Sequence, residues 1–377
     1  MLEQFIQPLA AGESLAEEQV RAAVEALVNE TVPAAAKADF LSALARKGET
    51  IEEIAAFARA LREKSVVPPI DPAWRNEREI LDVCGTGGDQ LGTFNISTTV
   101  ALVCAAAGVA VAKHGNRAIT SQSGSADVLE ALGVRIDLSP AEAAQSLRER
   151  NFAFFFAPNF HPAFKHIAPA RKLCAERGQR TIFNFLGPLL NPARPTAQLV
   201  GVPRAELCEP IAHVLQSLGV RRGMVVCGEI ESEVQSPKSK VASGGGAIAH
   251  SQSSMVKLSP SPKSYLDELS TLGSNTVAEF YQERGFTAST LDANQFPLQP
   301  ATLADLRGGD RSANAQIIRA ILSGDERGPK RDAVLLNAGA ALLVAGKSKS
   351  IADGWELAAT VIDDGRAAEK LKELTAR

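Results

Sequence analysis

The sequence predicts an α/β protein in which a small N-terminal helical domain precedes a larger α/β domain with a mostly parallel central sheet. Two observations lead to this prediction. The first seventy residues place apolar side chains at helical spacing and end in a proline-rich linker. From Glu79 onward, short apolar strands alternate with helical segments, which is typical of a parallel sheet covered by helices. With 377 residues, the chain is long enough for both domains.

The helical domain is expected to span residues 1–70. Residues 14–17 and 50–53 both carry the pattern of a capping box, in which a hydroxyl and a carboxylate satisfy free backbone N–H groups at a helix start. Pro33 suits the first turn of the helix between them. Prolines at positions 68, 69 and 72 then break the helical pattern and mark a linker.

The α/β domain is expected to span residues 78–377. Its predicted strands are 80–83, 109–112, 152–157, 198–201 and 224–227. Its predicted helices are 97–108, 125–132, 141–150, 205–218, 313–322, 333–345 and 351–362. Residues 229–264 are rich in Ser, Lys and Gly, and we expect them to form a flexible insertion at the surface.

Composition and charge restrict the classes of function. The 40 Lys and Arg residues nearly balance 43 Asp and Glu residues, and a formal net charge of −3 argues against a broad nucleic-acid-binding surface. The five cysteines are scattered singly, which is typical of reduced cytosolic thiols. The N-terminus lacks a secretory signal pattern, and the longest mostly apolar stretch is shorter than the ~20 residues that span a bilayer. We therefore expect a cytoplasmic protein that binds neither nucleic acid nor membrane.

A glycine-rich loop, GTGGD at residues 85–89, follows the first predicted strand. Glycines let backbone N–H groups approach an anion closely, although a tight structural turn would use the same residues. Helix capping accounts for one or two of the polar side chains that follow, so the cluster as a whole indicates contacts to phosphate and to metal-bound water. Those side chains are Thr93, Asn95, Ser97 and Thr98.

The segment KHGNR, residues 113–117, follows the second predicted strand and holds the strongest local positive charge. We expect it at the same cleft, because the carboxyl ends of parallel strands meet at one edge of a sheet. Lys113 suits a phosphate, and Arg117 would either bind an anion or stabilise its loop by an internal ion pair. His114 is either a neutral hydrogen-bonding residue or a base. A second phosphate-type turn follows at Ser121, Ser123, Gly124 and Ser125.

Five ordered motifs carry a resemblance to a known family: GTGGD, TFNIST, KHGNR, SGSADVLEALG and FNFLGPLLNPARP. Together they resemble the anthranilate phosphoribosyltransferase family of tryptophan biosynthesis. The resemblance implies a fold of the nucleoside phosphorylase/phosphoribosyltransferase type, with helices around residues 162–190 completing the helical domain. It also implies transfer of phosphoribose from phosphoribosyl pyrophosphate (PRPP) to anthranilate, Mg²⁺ as cofactor and a homodimer. The products would be N-(5-phosphoribosyl)anthranilate and pyrophosphate.

The resemblance further implies the residues of the site. Catalytic roles fall on Lys113 and Asn116, and contacts to anthranilate fall on Gly85, Asn116 and Arg171. Arg177 is the alternative to Arg171 as the residue that binds the anthranilate carboxylate. Contacts to PRPP fall on Gly85, Gly88, Asp89, Thr93, Asn95, Ile96, Ser97, Thr98, Lys113, His114, Gly115, Asn116, Arg117, Ser121 and Ser125.

Magnesium is implied at Ser97, Asp267 and Glu268. Taken alone, the acidic pair would be a solvated end of a strand or helix. Adjacent carboxylates nevertheless suit Mg²⁺, a hard cation that prefers oxygen ligands and bridges to substrate phosphates. In the family a glycine usually precedes the LDE motif, whereas Tyr265 stands at that position here.

The implied chemistry depends mainly on the leaving group. Pyrophosphate is heavily charged, so Mg²⁺, Lys113 and loop N–H groups would stabilise it as the glycosidic bond lengthens. An aromatic amine is already a nucleophile, so orientation by Arg171 and Asn116 should contribute more than a general base. The nearest alternative is a pyrimidine nucleoside phosphorylase, which the motifs KHGNR and LGPLLNP disfavour. A catalytically silent homologue that binds nucleic acid or a partner protein is the other alternative, which the net charge opposes.

Overall fold

The N-terminal helices pack into a bundle with an apolar core. The computed structural model describes residues 1–118, 122–230 and 264–376. Its first helices are α1 (Glu3–Ala10), α2 (Glu17–Val28), α3 (Ala34–Lys47) and α4 (Ile51–Glu63). Phe40 lies at the centre, with its ring centroid 6.2 Å from that of Phe5 and 6.5 Å from that of Phe57. All three rings are buried and provide much of the apolar area in this small core.

The bundle is extended by residues that come much later in the chain. Ile167, Cys174 and Leu186 are buried in the same apolar cluster as the N-terminal helices. The thiol of Cys174 donates to the carbonyl oxygen of Ala38 at 3.5 Å. Residues 167–190 therefore pack on the bundle although they follow the third strand of the sheet.

The two predicted capping boxes have different outcomes. Thr50 caps α4 as predicted, because its Oγ1 accepts the Glu53 N–H at 3.2 Å and Glu53 Oε2 accepts the Thr50 N–H at 2.9 Å. The box predicted at residues 14–17 is wrong. Ala16 is the N-cap residue of α2, and Gln19 Oε1 accepts the Ala16 N–H at 2.8 Å.

One mixed sheet forms the centre of the second domain. Its strands are β1 (Ile80–Gly85), β2 (Ala110–Gly115), β3 (Phe152–Phe156), β4 (Ala197–Gly201), β5 (Arg222–Ile230), β6 (Ser264–Leu266), β7 (Ser274–Tyr281) and β8 (Gly285–Asp292). The order is β3-β2-β1-β4-β5-β7-β8, with β6 also pairing with β5. Strands β1 to β5 are parallel, whereas β6 and β7 run antiparallel to β5, and β8 runs antiparallel to β7.

Helices cover both faces of this sheet. The helices that follow α4 in the described ranges are α5 (Pro72–Asn76), α6 (Ile96–Ala106), α7 (Ser125–Leu132), α8 (Pro140–Arg150), α9 (Ala157–Phe160), α10 (Ala168–Glu176), α11 (Phe183–Leu186), α12 (Cys208–Ser217), α13 (Arg311–Leu322), α14 (Pro329–Val344), α15 (Ile351–Asp363) and α16 (Arg366–Thr375). Of these, α10 and α11 pack on the bundle. Helix α14 is buried along most of its length and packs against α6, α15 and the sheet. It is therefore the rigid centre of the larger domain.

The predicted fold class is confirmed, and the five predicted strands correspond to β1 to β5. Strands β6 to β8 are absent from the prediction. Most side chains of β8 are exposed, so the strand shows no apolar alternation that would reveal it. Most of the predicted insertion at residues 229–264 lies outside the described residues. Within the described ranges, no helix combines the length and the apolar character needed to cross a bilayer.

Candidate active site

The carboxyl ends of β1, β2, β4 and β5 meet at one edge of the sheet. Gly85 at the end of β1 pairs in register with Gly201 at the end of β4. The loop after β1 leads into α6, and the loop after β2 leads into α7. Parallel strands therefore bring the two loops with phosphate-type sequences to the same edge.

The acidic pair lies directly on the glycine-rich loop. Asp267 Oδ2 accepts the N–H groups of Gly87 at 2.6 Å and Gly88 at 3.3 Å, and the Thr86 hydroxyl at 3.4 Å. Asp89 Oδ2 accepts the Asp267 N–H at 3.4 Å. The loop N–H groups thus point toward an acceptor, which in this structure is the carboxyl group of Asp267.

Three glycines make room for the acidic segment, residues 267–270. A Cβ atom at Gly85 would lie 2.8 Å from Asp267 Oδ2, and one at Gly201 would overlap the carbonyl oxygen of Asp267. A Cβ atom at Gly228 in β5 would lie 2.5 Å from Ser270 Cβ. Each glycine stands near the end of a strand at this edge, so a larger residue at any of them would displace the segment.

Lys113 is almost completely buried, and its ammonium group points into the same site. Its Nζ donates to the carbonyl oxygen of Val83 at 2.7 Å and to Ser97 Oγ at 3.4 Å. Burial lowers the pKa of Lys113, whereas neighbouring Asp82 and Glu268 act in the opposite direction. A compact cation is therefore held near the start of α6, where helix N–H groups also favour an anion.

Carboxylates surround this lysine. Burial raises the pKa of Asp267 well above its usual range, and Asp89 and Glu268 raise it further. Burial raises the pKa of Glu268 to about 8, an effect that Lys113 partly opposes. With these acids ionised, the edge would repel a polyphosphate unless a cation joined it.

The same carboxylates fit Mg²⁺. A divalent cation would remove the repulsion between Asp267 and Glu268 and favour their ionised forms. Ser97 donates a backbone hydrogen bond to Glu268, so the third expected ligand adjoins the pair. In the described ranges, no three His, Cys, Asp or Glu side chains are spaced as ligands of one metal ion. Mg²⁺ usually takes one or two carboxylates and completes its shell with water and substrate phosphate.

Helix α6 starts beside the lysine, with Asn95 as its N-cap residue. The Asn95 side chain does not cap the helix. Its Nδ2 donates to the Ser123 carbonyl at 3.1 Å, and its Oδ1 accepts from Asn314 Nδ2 at 2.9 Å. Asn95 thus connects the start of α6 with the loop after β2. The other predicted residues here are Thr93, which forms a β-bridge with Arg307, the buried Ile96 and Thr98, and the half-buried Ser97.

The loop after β2 is held by Ser125 and by ion pairs. A Cβ atom at Gly115 would overlap Ser125 Oγ, and that hydroxyl donates to the Asn116 carbonyl at 3.4 Å. Arg117 pairs with Asp127 and Glu130 of α7, each at 3.0 Å. Of the two alternatives for Arg117, the structure shows the internal ion pair. Ser121 lies outside the described residues.

A row of rings leads from this loop to Arg171. The His114 and His161 rings lie 5.2 Å apart, Phe164 lies 5.0 Å from His161, and Phe183 lies 5.8 Å from Phe164. The guanidinium of Arg171 lies 5.4 Å from the Phe183 ring centroid. The row therefore connects the end of β2 with a cation on α10.

The two candidate arginines on this side differ in whether a carboxylate of the chain pairs with them. Among the described residues no carboxylate pairs with the half-buried Arg171, and burial alone lowers its pKa. Arg177, the alternative, is exposed and pairs with Asp39 at 2.8 Å. Arg171 is thus the arginine with free capacity for an external carboxylate.

The histidine pair is neutral at physiological pH. Burial lowers the pKa of His114 to about 3 and that of His161 to about 4. The Gly187 backbone forms a hydrogen bond with the His114 ring, whereas His114 Nε2 has no partner among the described residues. For His114, the structure therefore favours the neutral hydrogen-bonding residue over the base.

We expect His161→Gln to weaken the acid sensitivity of the fold. In the wild type, the unfolded chain protonates His161 near pH 6.5, but the folded chain does so only near pH 4, so stability falls as the pH drops through that window. The loss at pH 4.5 is about 2.5 kcal/mol. Urea unfolding at pH 7.5 and 4.5 measures it in both proteins, and equal losses would contradict the assignment. Asp82, whose pKa burial raises to about 6, acts oppositely but is common to both proteins.

Sequence reasoning missed several residues that order this site. Asp82 is fully buried, and Asn191 Nδ2 donates to its Oδ2 at 2.8 Å and to the Ala112 carbonyl at 2.7 Å. Asn191 therefore ties β1 to β2 below Lys113. Asn191 stands within the motif FNFLGPLLNPARP, which was the available signal. Asp82 and His161 carry no comparable local pattern.

Two models of one glycosyl transferase family match the chain. The helical bundle domain matches residues 3–65, and the a/b domain matches residues 77–264 and 247–368. With the fold and the edge described above, these matches define the class of protein as a two-domain glycosyl transferase.

Comparison with individual proteins narrows the class. The anthranilate phosphoribosyltransferase of Lacticaseibacillus casei (strain BL23) is 43% identical over 376 residues, which cover 100% of this chain and 97% of the relative. That of Petrotoga mobilis is 42% identical over 374 residues, covering 99% and 96%. The crystal structure of the Thermus thermophilus enzyme has a TM-score of 0.80 at 40% identity and 98% coverage of both chains. The chain therefore belongs to the anthranilate phosphoribosyltransferase family.

A more distant solved structure shares the fold. The Saccharomyces cerevisiae anthranilate phosphoribosyltransferase, described as being in complex with PRPP and Mg, has a TM-score of 0.78 at 24% identity. It matches 99% of this chain and 96% of its own.

Proposed function

We propose that this protein transfers the phosphoribosyl group of PRPP to the amino group of anthranilate in tryptophan biosynthesis. The C1–O bond to pyrophosphate breaks, the C1–N bond forms, and the amine gives up one proton. The products are N-(5-phosphoribosyl)anthranilate and pyrophosphate. The observation that carries the proposal is the row of rings that joins the lysine-bearing edge to Arg171, a cation with no carboxylate partner among the described residues.

The donor side of the proposed site comprises both loops and the two helix starts. Lys113 attracts the departing pyrophosphate, because its charge is desolvated and fixed by Val83 and Ser97. Backbone N–H groups at the start of α6 and α7 add donors for phosphate. The proposed PRPP residues remain Gly85, Gly88, Asp89, Thr93, Asn95, Ile96, Ser97, Thr98, Lys113, His114, Gly115, Asn116, Arg117, Ser121 and Ser125.

Ser97, Asp267 and Glu268 are the residues that would hold Mg²⁺. When bound, the cation supplies positive charge that offsets the charge of the leaving pyrophosphate. Support comes from the two buried carboxylates, whose pKa values burial raises and which hydrogen bonds hold against the glycine-rich loop and Ser97. Lys113 stays next to this pair and keeps its own contact to Ser97.

The acceptor side orients anthranilate rather than activating it. Arg171 binds the carboxylate, and Asn116 and Gly85 contact the amine-bearing ring on the side of the donor. The aromatic amine is unprotonated near neutral pH, so the neutral His114 has no proton to remove before attack. Orientation against C1 is then the main contribution of this side.

The proposal also includes a cytoplasmic homodimer. It is supported by family membership and by the scattered, buried cysteines at positions 84, 104, 174, 208 and 227. Sedimentation equilibrium of the purified protein distinguishes a dimer from a monomer.

The acceptor assignment predicts different results for two nearby arginines. We expect Arg171→Ala to raise the KM for anthranilate at least tenfold, because a charge-assisted carboxylate contact is worth about 1.5–3 kcal/mol. The KM for PRPP should stay within twofold. Arg177→Ala is the matched control: the residue lies just after the same helix, but it already pairs with Asp39. An unchanged anthranilate KM in folded Arg171→Ala protein would overturn the assignment.

The experiment that tests the function compares two reactions. The protein is incubated with PRPP, Mg²⁺ and anthranilate, and separately with a pyrimidine nucleoside and inorganic phosphate. We expect loss of anthranilate fluorescence in the first mixture and no release of base in the second. The opposite pair of results would identify a nucleoside phosphorylase instead.

A further inference from the structure

Two buried asparagines hold the acidic segment, and the proposed chemistry does not use either of them. Asn337 in α14 accepts the Leu269 N–H at 2.8 Å and donates Nδ2 to the Leu269 carbonyl at 2.9 Å. Asn275 in β7 forms the same pair of hydrogen bonds with the next residue, Ser270. It accepts the Ser270 N–H at 2.6 Å and donates to the Ser270 carbonyl at 3.0 Å. Neither asparagine is exposed to solvent.

These contacts supply the backbone hydrogen bonds that a neighbouring strand would otherwise provide. Strand β6 ends at Leu266, and residues 267–270 lie outside helices and strands. The backbone groups of Leu269 and Ser270 are buried, so leaving them unpaired would be costly. Each asparagine offers one acceptor and two donors, which allows it to pair with both backbone groups of one residue.

The asparagines themselves are held by rigid elements. Asn337 Nδ2 also donates to the Ala333 carbonyl one turn earlier in α14, at 2.9 Å. Asn275 Nδ2 also lies 3.4 Å from the Leu291 carbonyl of β8. The amide orientations are therefore determined by the central helix and by the antiparallel part of the sheet. The backbones of Gly201 and Gly228 contact the segment so closely that it has no room to shift toward β4 and β5.

We propose that Asn337 and Asn275 are positioning residues for the cation site. They fix the backbone at Leu269 and Ser270, and the adjoining Asp267 and Glu268 carboxylates are thereby kept against the glycine-rich loop and Ser97. The inference rests on the proposed function, since it specifies how the Mg²⁺ of that reaction is placed. Asn337 lies 68 positions from Leu269 in sequence, which explains why no local motif reveals it.

The test uses Asn337→Leu, which keeps the approximate shape but removes all the polar contacts. In the protein without ligands, we expect hydrogen exchange of residues 266–273 to accelerate at least tenfold relative to wild type. PRPP binding is then measured calorimetrically across a Mg²⁺ series in the absence of anthranilate, so that no turnover occurs. We expect the Mg²⁺ concentration for half-maximal binding to rise at least tenfold. The KM for anthranilate should change less than threefold.

Leu342→Ala is the control for general destabilisation. Leu342 lies in the same helix and is fully buried, but it is five residues from Asn337 and so points in a different direction. This variant should lose thermal stability while its Mg²⁺ requirement stays within twofold of wild type. If Asn337→Leu does not fold, the same measurements are made on Asn337→Ser and Asn275→Ser. For these variants we expect the exchange rate and the Mg²⁺ concentration for half-maximal binding to rise at least threefold.

The outcomes separate this inference from the proposed function. A folded asparagine variant with wild-type exchange and wild-type Mg²⁺ requirement would overturn the positioning role. An equal rise in the Mg²⁺ requirement of Leu342→Ala would also overturn it, because destabilisation alone would then suffice. If the wild type binds PRPP with Mg²⁺ but consumes no anthranilate, the proposed function fails while the positioning role still stands or falls on the binding data.

Discussion

Replacing Lys113 with methionine is expected to lower kcat/KM by about 1,000-fold, or about 4 kcal/mol of transition-state stabilisation. Methionine retains the unbranched apolar stem but removes the ammonium group that lies between Val83 and Ser97. The charge is desolvated, so water cannot replace it when pyrophosphate leaves. Steady-state kinetics with PRPP as the varied substrate measure the loss.

Lys47 provides the matched control for this variant. It is also buried, but it pairs with Glu53 at 2.7 Å inside the helical bundle. We expect Lys47→Met to lower the free energy of unfolding by about 3 kcal/mol, because it leaves a buried carboxylate unpaired, while kcat/KM changes less than threefold. A Lys113→Met protein that retains more than a tenth of wild-type kcat/KM would contradict the role given to Lys113.

Glu268→Gln is expected to separate activity from stability. Turnover should fall by 100-fold or more at saturating Mg²⁺, about 3 kcal/mol, because an amide is a much poorer Mg²⁺ ligand than a carboxylate. Without ligands, the free energy of unfolding above pH 8 should equal or exceed that of wild type. Burial raises the pKa of Glu268 to about 8, so the ionised side chain destabilises the fold. Replacing it with an uncharged amide removes this loss of unfolding free energy.

Glu53→Gln should show the reverse. Glu53 is as buried as Glu268, but it pairs with Lys47 and accepts the N–H groups of Leu15 and Thr50. We expect this variant to lose stability in urea unfolding and to retain turnover within threefold. Glu268 would not be a Mg²⁺ ligand if Glu268→Gln kept wild-type turnover, and its ionised form would not destabilise the fold if this variant lost as much stability as Glu53→Gln.

Patterns of apolar residues were sufficient to predict the fold class and the parallel strands. They work because each of these elements buries a face, and burial imposes a period on the sequence. The exposed strand β8 has no such period and was not predicted. The capping box at residues 14–17 failed for a different reason. Glu53, distant in sequence, accepts the Leu15 N–H, and α2 therefore starts only at Glu17.

In the candidate site too, some features follow from the local sequence, whereas others depend on residues distant in the chain. The loops around Gly87 and Lys113 follow strands, so their sequences and positions predict that they share an edge. The partners of charged residues are not readable in this way. The sequence does not distinguish the charge of Arg171 from that of Arg117 or Arg177. In the fold, Arg117 and Arg177 form ion pairs, whereas no carboxylate of the described residues pairs with Arg171.

The acidic segment depends on distant residues as well as on Asn275, which is close to Ser270 in sequence. Asp267 and Glu268 look like a solvated chain end until Gly201 and Gly228 make room for them in the fold. The two asparagines that pair with their neighbours come from β7 and α14, the latter 68 positions along the chain from Leu269. Side-chain amides that pair with irregular backbone leave no periodic trace in a sequence, so only the structure reveals them.

Simultaneous measurement of anthranilate consumption and pyrophosphate release tests the central claim most directly. Purified protein receives PRPP and anthranilate, with Mg²⁺ or with excess chelator. We predict one pyrophosphate released for each anthranilate lost, and loss of both signals in the chelator. Pyrophosphate release without anthranilate loss, or loss of neither substrate with Mg²⁺ present, would contradict the proposed transfer.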